Sequence, residues 1–130
     1  MTPEELLEAV RARLVASLVK VDVLVGRVPA TPARPYVVLV GQMPAVARRP
    51  LAGDSHQDRM TVQVMTVNNS LGGVLWLADR VRVVLSDLPV GVGRLRYDFA
   101  SSPIESDEPG DYRWSLTADY FTHQPRRFHD

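Results

Sequence analysis

Asp54, His56 and Asp58 alternate along one polar stretch, and together they carry the residue types of a metal site: one imidazole and two carboxylates. A bound ion needs three or four ligands in fixed geometry, and no fourth ligand lies nearby, so the stretch reads as a solvated loop. His123 and His129 stand near Asp119 and Asp130, but a fraying terminus offers no fixed geometry. Ser70, Ser86, Ser101, Ser102 and Ser106 all fall in cap or turn contexts. None occupies a G-x-S-x-G elbow, and no histidine sits where a triad would be recognisable. The lack of cysteine removes disulfides, thiolate metal sites and cysteine nucleophiles together. Gly91-Val92-Gly93 follows a helical pattern where a dinucleotide loop would follow a strand, so it reads as a helix stop. Asn68-Asn69-Ser70 spells a glycosylation sequon without a signal peptide to give it meaning. The expectation is a protein with no catalytic residue, no cofactor and no metal.

The remaining polar groups suit contact with other macromolecules. Glu105, Asp107 and Glu108 can meet cations or a basic partner, although such a run also keeps a hairpin tip open in water. Arg48 and Arg49 begin the long loop, beside Pro44 and Pro50. Tyr97, Phe99, Trp114 and Tyr120 alternate with apolar partners, which suits a core better than a stacking platform for bases. Fifteen basic residues balance fifteen acidic ones, so the cationic surplus that displaces phosphate counterions is missing. Direct sequence-specific nucleic-acid binding is therefore not expected. The 130 residues make one domain, 1–130, and the 45% hydrophobic content can fill a single core. Met1-Thr2-Pro3-Glu4-Glu5 opens acidic, opposite to a signal peptide, and no apolar stretch is long enough to span a bilayer as a helix. A soluble domain without membrane contact is expected.

These groups need elements to position them. Thr2 with Glu5 forms a capping box, Pro3 takes the first helical position, and Leu6, Leu7, Val10, Leu14 and Leu18 recur at helical spacing to a helix end near Lys20. Residues 21–28 make a short strand or an extended lead-in, and Pro29, Pro32 and Pro35 hold the chain extended. Tyr36 then opens the run Val37-Val38-Leu39-Val40, short and β-branched, as a strand buried on both faces should be. Met60 to Val67 alternates with period two, as a strand with unlike faces should. Ser70 caps a second helix with the stripe Leu71, Val74, Leu75, Ala78, Val81, Leu85 and Leu88, whose Gly72 and Gly73 permit close approach to the sheet. Leu95, Tyr97 and Phe99 face inward on the next strand. Tyr112, Trp114, Leu116, Ala118 and Tyr120 share one face of the last, beyond an acidic tip. Residues 124–130 form a polar, flexible tail. The fold class is α+β: two helices on one face of a four- to five-stranded, mainly antiparallel sheet, in the order α-β-β-α-β-β. Its expected core is Leu6, Val10, Leu14, Val38, Val40, Val62, Val64, Leu75, Val81, Leu85, Tyr97, Trp114 and Leu116.

Gly26-Arg27-Val28, then Arg34-Pro35-Tyr36-Val37-Val38, a polar loop, Thr61-Val62-Gln63-Val64, the Ser70-capped helix and Tyr112-Arg113-Trp114-Ser115-Leu116 follow one another in order. This pattern resembles the tail terminator, or tail-completion, proteins of long-tailed bacteriophages over nearly the whole chain. The resemblance implies a non-enzymatic virion protein at the head-proximal end of the tail, present in the host cytoplasm during assembly. It implies a homo-hexameric ring that caps the tail tube, ends its polymerisation and joins it to the head-completion or connector protein. In such a module the loops at 44–59 and 101–111 carry the partner contacts, through Arg48, Arg49, Asp54, His56, Asp58, Glu105, Asp107 and Glu108. Another connector or minor tail component, a nucleic-acid-binding module and a small ligand-binding domain are the alternative readings.

Overall fold

A computed structural model of the chain describes residues 1–28, 34–41 and 57–125. Helix α1 (Pro3–Ser17) begins at the expected capping box. The Glu5 N–H donates to Thr2 Oγ1 at 3.1 Å and the Thr2 N–H donates to Glu5 Oε1 at 2.8 Å, satisfying two of the donors a helix start leaves open. Helix α2 (Leu71–Leu85) begins where Ser70 Oγ accepts the Gly73 N–H at 2.9 Å. A methyl group on Gly73 would meet the Asn68 side chain and Ser70 Oγ, while Gly72 faces open space. The close approach expected of both glycines is thus made by Gly73 alone, to the cap and to Asn68 at the end of β3.

The described residues form eight strands in chain order: β1 (Asp22–Val25), β2 (Tyr36–Gly41), β3 (Gln57–Asn68), β4 (Pro89–Val90), β5 (Gly93–Arg94), β6 (Arg96–Ala100), β7 (Ile104–Glu105) and β8 (Trp114–Pro125). The main sheet runs β1-β2-β3-β8-β6, with β7 also paired to β8, while β4 and β5 form a separate small hairpin. The α+β class and the two-helix layer hold, but the sheet has six strands where four or five were expected. The β1–β2 pair is parallel and the other pairs are antiparallel. At the centre β3 and β8 match residue for residue from Gln57↔Pro125 to Asn68↔Trp114. Gln124, expected in a tail, is therefore a buried strand residue, and its side-chain amide donates to the Val90 carbonyl at 2.8 Å.

One face of this sheet carries the helices. Leu6, Val10 and Leu14 of α1 and Val74, Leu77, Val81 and Leu85 of α2 pack on Val37, Leu39, Val62, Val64, Leu116 and Tyr120. On the far face Tyr36, Val38 and Val67 form a second buried cluster, so β2 is enclosed on both faces as its unbroken apolar run requires.

Three expected core residues are exposed: Val40, Leu75 and Tyr97. Val40 pairs with Gln63 on the far face, near the end of β2. Leu75 lies one residue round from Val74, while the buried arc of α2 runs through Leu77, which the stripe left out. Tyr97 is on the helix side, edge-on to Tyr120 at 5.6 Å, but β6 ends the sheet and α2 covers it only in part. Phe99 does not face inward either. A bulge between Tyr97 and Phe99 places Asp98 outside the ladder, so Phe99 pairs with Asp119 on the far face. Tyr112 precedes β8 and is exposed.

Candidate assembly surfaces

The far side of the sheet carries the acidic segment, and its geometry is set by β7. Ile104 and Glu105 pair with Ser115 and Trp114, folding the connection back over the end of β8 instead of leaving a free tip. Ser106 Oγ accepts the Glu108 N–H at 3.3 Å, which tightens the turn that follows. Asp111 then clasps the loop. Its carboxylate accepts the Arg113 N–H at 3.1 Å and pairs with Arg34 at 3.1 Å and with the Arg113 side chain at 3.6 Å. Arg34 also donates to Asn69 Oδ1 at 3.1 Å, so one guanidinium links the acidic loop to the turn before α2. The interaction with the Ser106 hydroxyl, then the Arg113 N–H and the Arg34 charge, hold the Asp111 carboxyl below its usual range, against a partial desolvation that pulls the other way. Pairs this exposed contribute orientation more than stability.

Beneath this loop lies a cavity of about 330 Å³, lined by Tyr36, Met65, Val67 and Ser115 of the sheet and by Ile104 to Asp107 and Arg113. Glu105, Asp107 and Glu108 are exposed around it. None of the three makes an ion pair among the described residues. Further along the same face, Arg59 bonds Asp98 at 2.9 Å and lies 4.2 Å from the Phe121 ring centroid, and Phe121 meets His123 edge-on at 5.6 Å. One carboxylate oxygen of Asp119, opposite Gln63, is enclosed with no hydrogen-bond partner among the described residues.

Among the described residues, grooves also open on the helix side. One, of about 190 Å³, lies between α2 and β6 and is lined by Ala78, Arg82, Tyr97, Leu116 and Tyr120. The Arg82 guanidinium lies 5.3 Å from the Tyr97 ring centroid, and burial pushes the Tyr120 phenol above its ordinary range. Another, of about 300 Å³, lies where the end of α1 and the chain entering β1 meet α2, lined by Ser17, Leu18, Val19, Val21, Trp76 and Arg80.

The structure brings Glu105, Asp107 and Glu108 onto one loop. Arg48, Arg49, Asp54 and His56 lie outside the described residues. Asp58 belongs to β3, with its backbone opposite Gln124, and not to the preceding loop. No group of three or more metal-binding side chains occurs among the described residues. Sequence reasoning missed the Arg34–Asp111–Arg113 clasp, which joins positions far apart in the chain and leaves no local signal. It also missed the Trp76 groove, whose signal was available: Trp76, Arg80 and Val83 recur at helical spacing away from the buried arc of α2.

A sequence model described as tail completion protein gp17 matches residues 4–122. The chain belongs to that family. Membership makes it a structural protein of a phage-type tail, a class of protein that is not normally enzymatic, and the earlier resemblance holds at this level. The fold agrees. A chain from the virion of a native gene transfer agent particle superposes with a TM-score of 0.61, over 92% of this chain and 94% of that one, at 16% identity. A second solved chain covers 98% of this one at 20% identity, but its TM-score of 0.49 is too low to support an argument. No curated protein sequence matches this tail completion family member. No helix among the described residues is long and apolar enough to cross a membrane.

Proposed function

We propose that this tail completion family member forms a homo-hexameric ring on the head-proximal end of the tail tube, stops tube polymerisation there and presents a surface to the head connector. The observation that carries the reading is the family match across residues 4–122. The geometry supports it. A ring needs two unlike patches on each subunit, and this subunit has an acidic loop over the far face and an apolar groove in the helix layer, both held by one rigid sheet. The segments 44–59 and 101–111 carry the partner contacts, through Arg48, Arg49, Asp54, His56, Asp58, Glu105, Asp107 and Glu108. Function then lies in assembly, and no single side chain is chemically indispensable.

The experiment is complementation of a tail-completion-deficient phage, with tail length and head joining read by electron microscopy. Replacing His56, His123 and His129 together by Gln should leave capped tails of uniform length. Arg48→Glu with Arg49→Glu should lower the yield of joined particles, with a defect that changes with salt. Loss of capping in the folded histidine variant, together with silent arginine reversals, would overturn the reading.

A further inference from the structure

We infer that the groove around Trp76 is a docking site for a second copy of this chain, and that the segment entering it is that copy's loop from Ile104 to Glu108. The inference rests on the self-association reading and specifies its contact. Val19 is 81% exposed, Trp76 59% and Val83 61%, and Trp76 and Val83 stand seven residues apart on one face of α2. An aromatic anchor lining a groove is the kind of residue that dominates binding energy at interfaces. Arg80 lines the same groove, Lys20 stands between Val19 and Val21, and neither makes an ion pair among the described residues.

The loop on the far face offers the complement. Ile104 is 62% exposed, and beside it Glu105, Asp107 and Glu108 are unpaired among the described residues. The Asp111 clasp and the β7 pairing hold these groups in place, so little ordering entropy is lost on docking. One surface is apolar with a cationic rim, and the other is apolar with an anionic rim. They lie on opposite sides of the sheet, out of each other's reach within one chain. Repeated head to tail, such a contact makes a chain of subunits that closes into a ring when the rotation allows. A two-fold contact of the groove with itself would oppose Arg80 to Arg80 and is disfavoured. The free edge at β6 is a weaker joint, because the bulge at Asp98 and the charged Arg96 blunt it.

The chain has no cysteine of its own, so engineered cysteines report the contact cleanly. Arg80→Cys and Asp107→Cys, both at exposed positions, are introduced singly and together in the full chain. Unfolding midpoints matching the parent confirm their fold. The purified proteins and tails assembled with them are oxidised and run under non-reducing denaturing conditions. The double variant should give a ladder of covalent multimers ending at one closed size, the two singles mixed should give dimers only, and each single should stay monomeric. Separately, Arg80→Glu should weaken self-association by at least about tenfold, and Asp107→Arg added to it should restore the association. A double variant that stays monomeric under oxidation while the parent runs as an oligomer would overturn the docking assignment and leave the ring reading standing. Cross-linking of Arg80→Cys to itself would overturn it in favour of a two-fold contact. A parent chain that is monomeric in solution and present as separate copies in tails would overturn both.

Discussion

Val81 and Val83 stand two residues apart on α2, one 1% and the other 61% exposed, so the same substitution at each isolates burial from helix propensity. Val81→Asp gives up the burial of a valine side chain, about 2 kcal/mol. It also places a carboxyl among Leu6, Val10, Val74, Leu77 and Leu85 with no polar partner in the cluster. The group enters the core protonated, and because pH 7 lies about three units above the free pKa of an aspartate, that protonation adds about 4 kcal/mol. The total of about 6 kcal/mol is comparable to the whole stability of a small domain, about 5–15 kcal/mol. Val81→Asp should therefore melt about 20 °C or more below the parent, or fail to fold. Val83→Asp should stay within about 0.5 kcal/mol of it. The sign of the pH effect follows from linkage. A carboxyl whose folded pKa is raised binds its proton more tightly in the native state, so the penalty shrinks as pH falls towards about 4 and grows as pH rises. Thermal and urea unfolding followed by far-UV circular dichroism, at pH 7 and pH 4.5, measure all of this. Equal midpoints for Val81→Asp and the parent, or equal damage at Val83, would refute the assignment of the buried arc.

Other perturbations test the remaining joints. Thr2→Ala removes one half of the capping box and should cost about 1 kcal/mol in urea unfolding. Gly72→Ala meets nothing within 4 Å and should be neutral or stabilising by up to about 1 kcal/mol, whereas Gly93→Ala would put a methyl 2.8 Å from the His123 carbonyl oxygen and should lower the midpoint. Asp111 has a depressed pKa, so its contribution is present above the unfolded value near 3.8 and is lost as pH falls through the lower folded value. Stability measured from pH 5 to pH 2 should accordingly fall less steeply for Asp111→Asn than for the parent.

Local chemistry was legible in the sequence. Thr2, Glu5 and Ser70 act within three residues of themselves, so both helix starts could be read directly. The alternation of β3 and β8 likewise declared the helix-facing sets Val62 and Val64, and Leu116, Ala118 and Tyr120, because a strand's faces follow from its period alone. The assembly reading came from the resemblance of the ordered motifs to tail-completion proteins, and the family match over residues 4–122 supports it at the level of a phage-tail structural protein. What the sequence could not decide was which face or edge each residue meets once distant segments come together. Val40 reads like Val38, yet only the pairing with Gln63 shows that it sits near a strand end with the core behind it. Phe99 reads as the partner of Tyr97 until one bulged residue turns it to the other face. The clasp of Arg34, Asp111 and Arg113 exists because β7 folds onto β8 and carries the loop to a residue far back in the chain. The outward position of Trp76 follows from its helical spacing with Arg80 and Val83, but only the placement of α1 and β1 beside α2 makes an open groove there, because a groove belongs to the packed assembly of elements and not to any one segment.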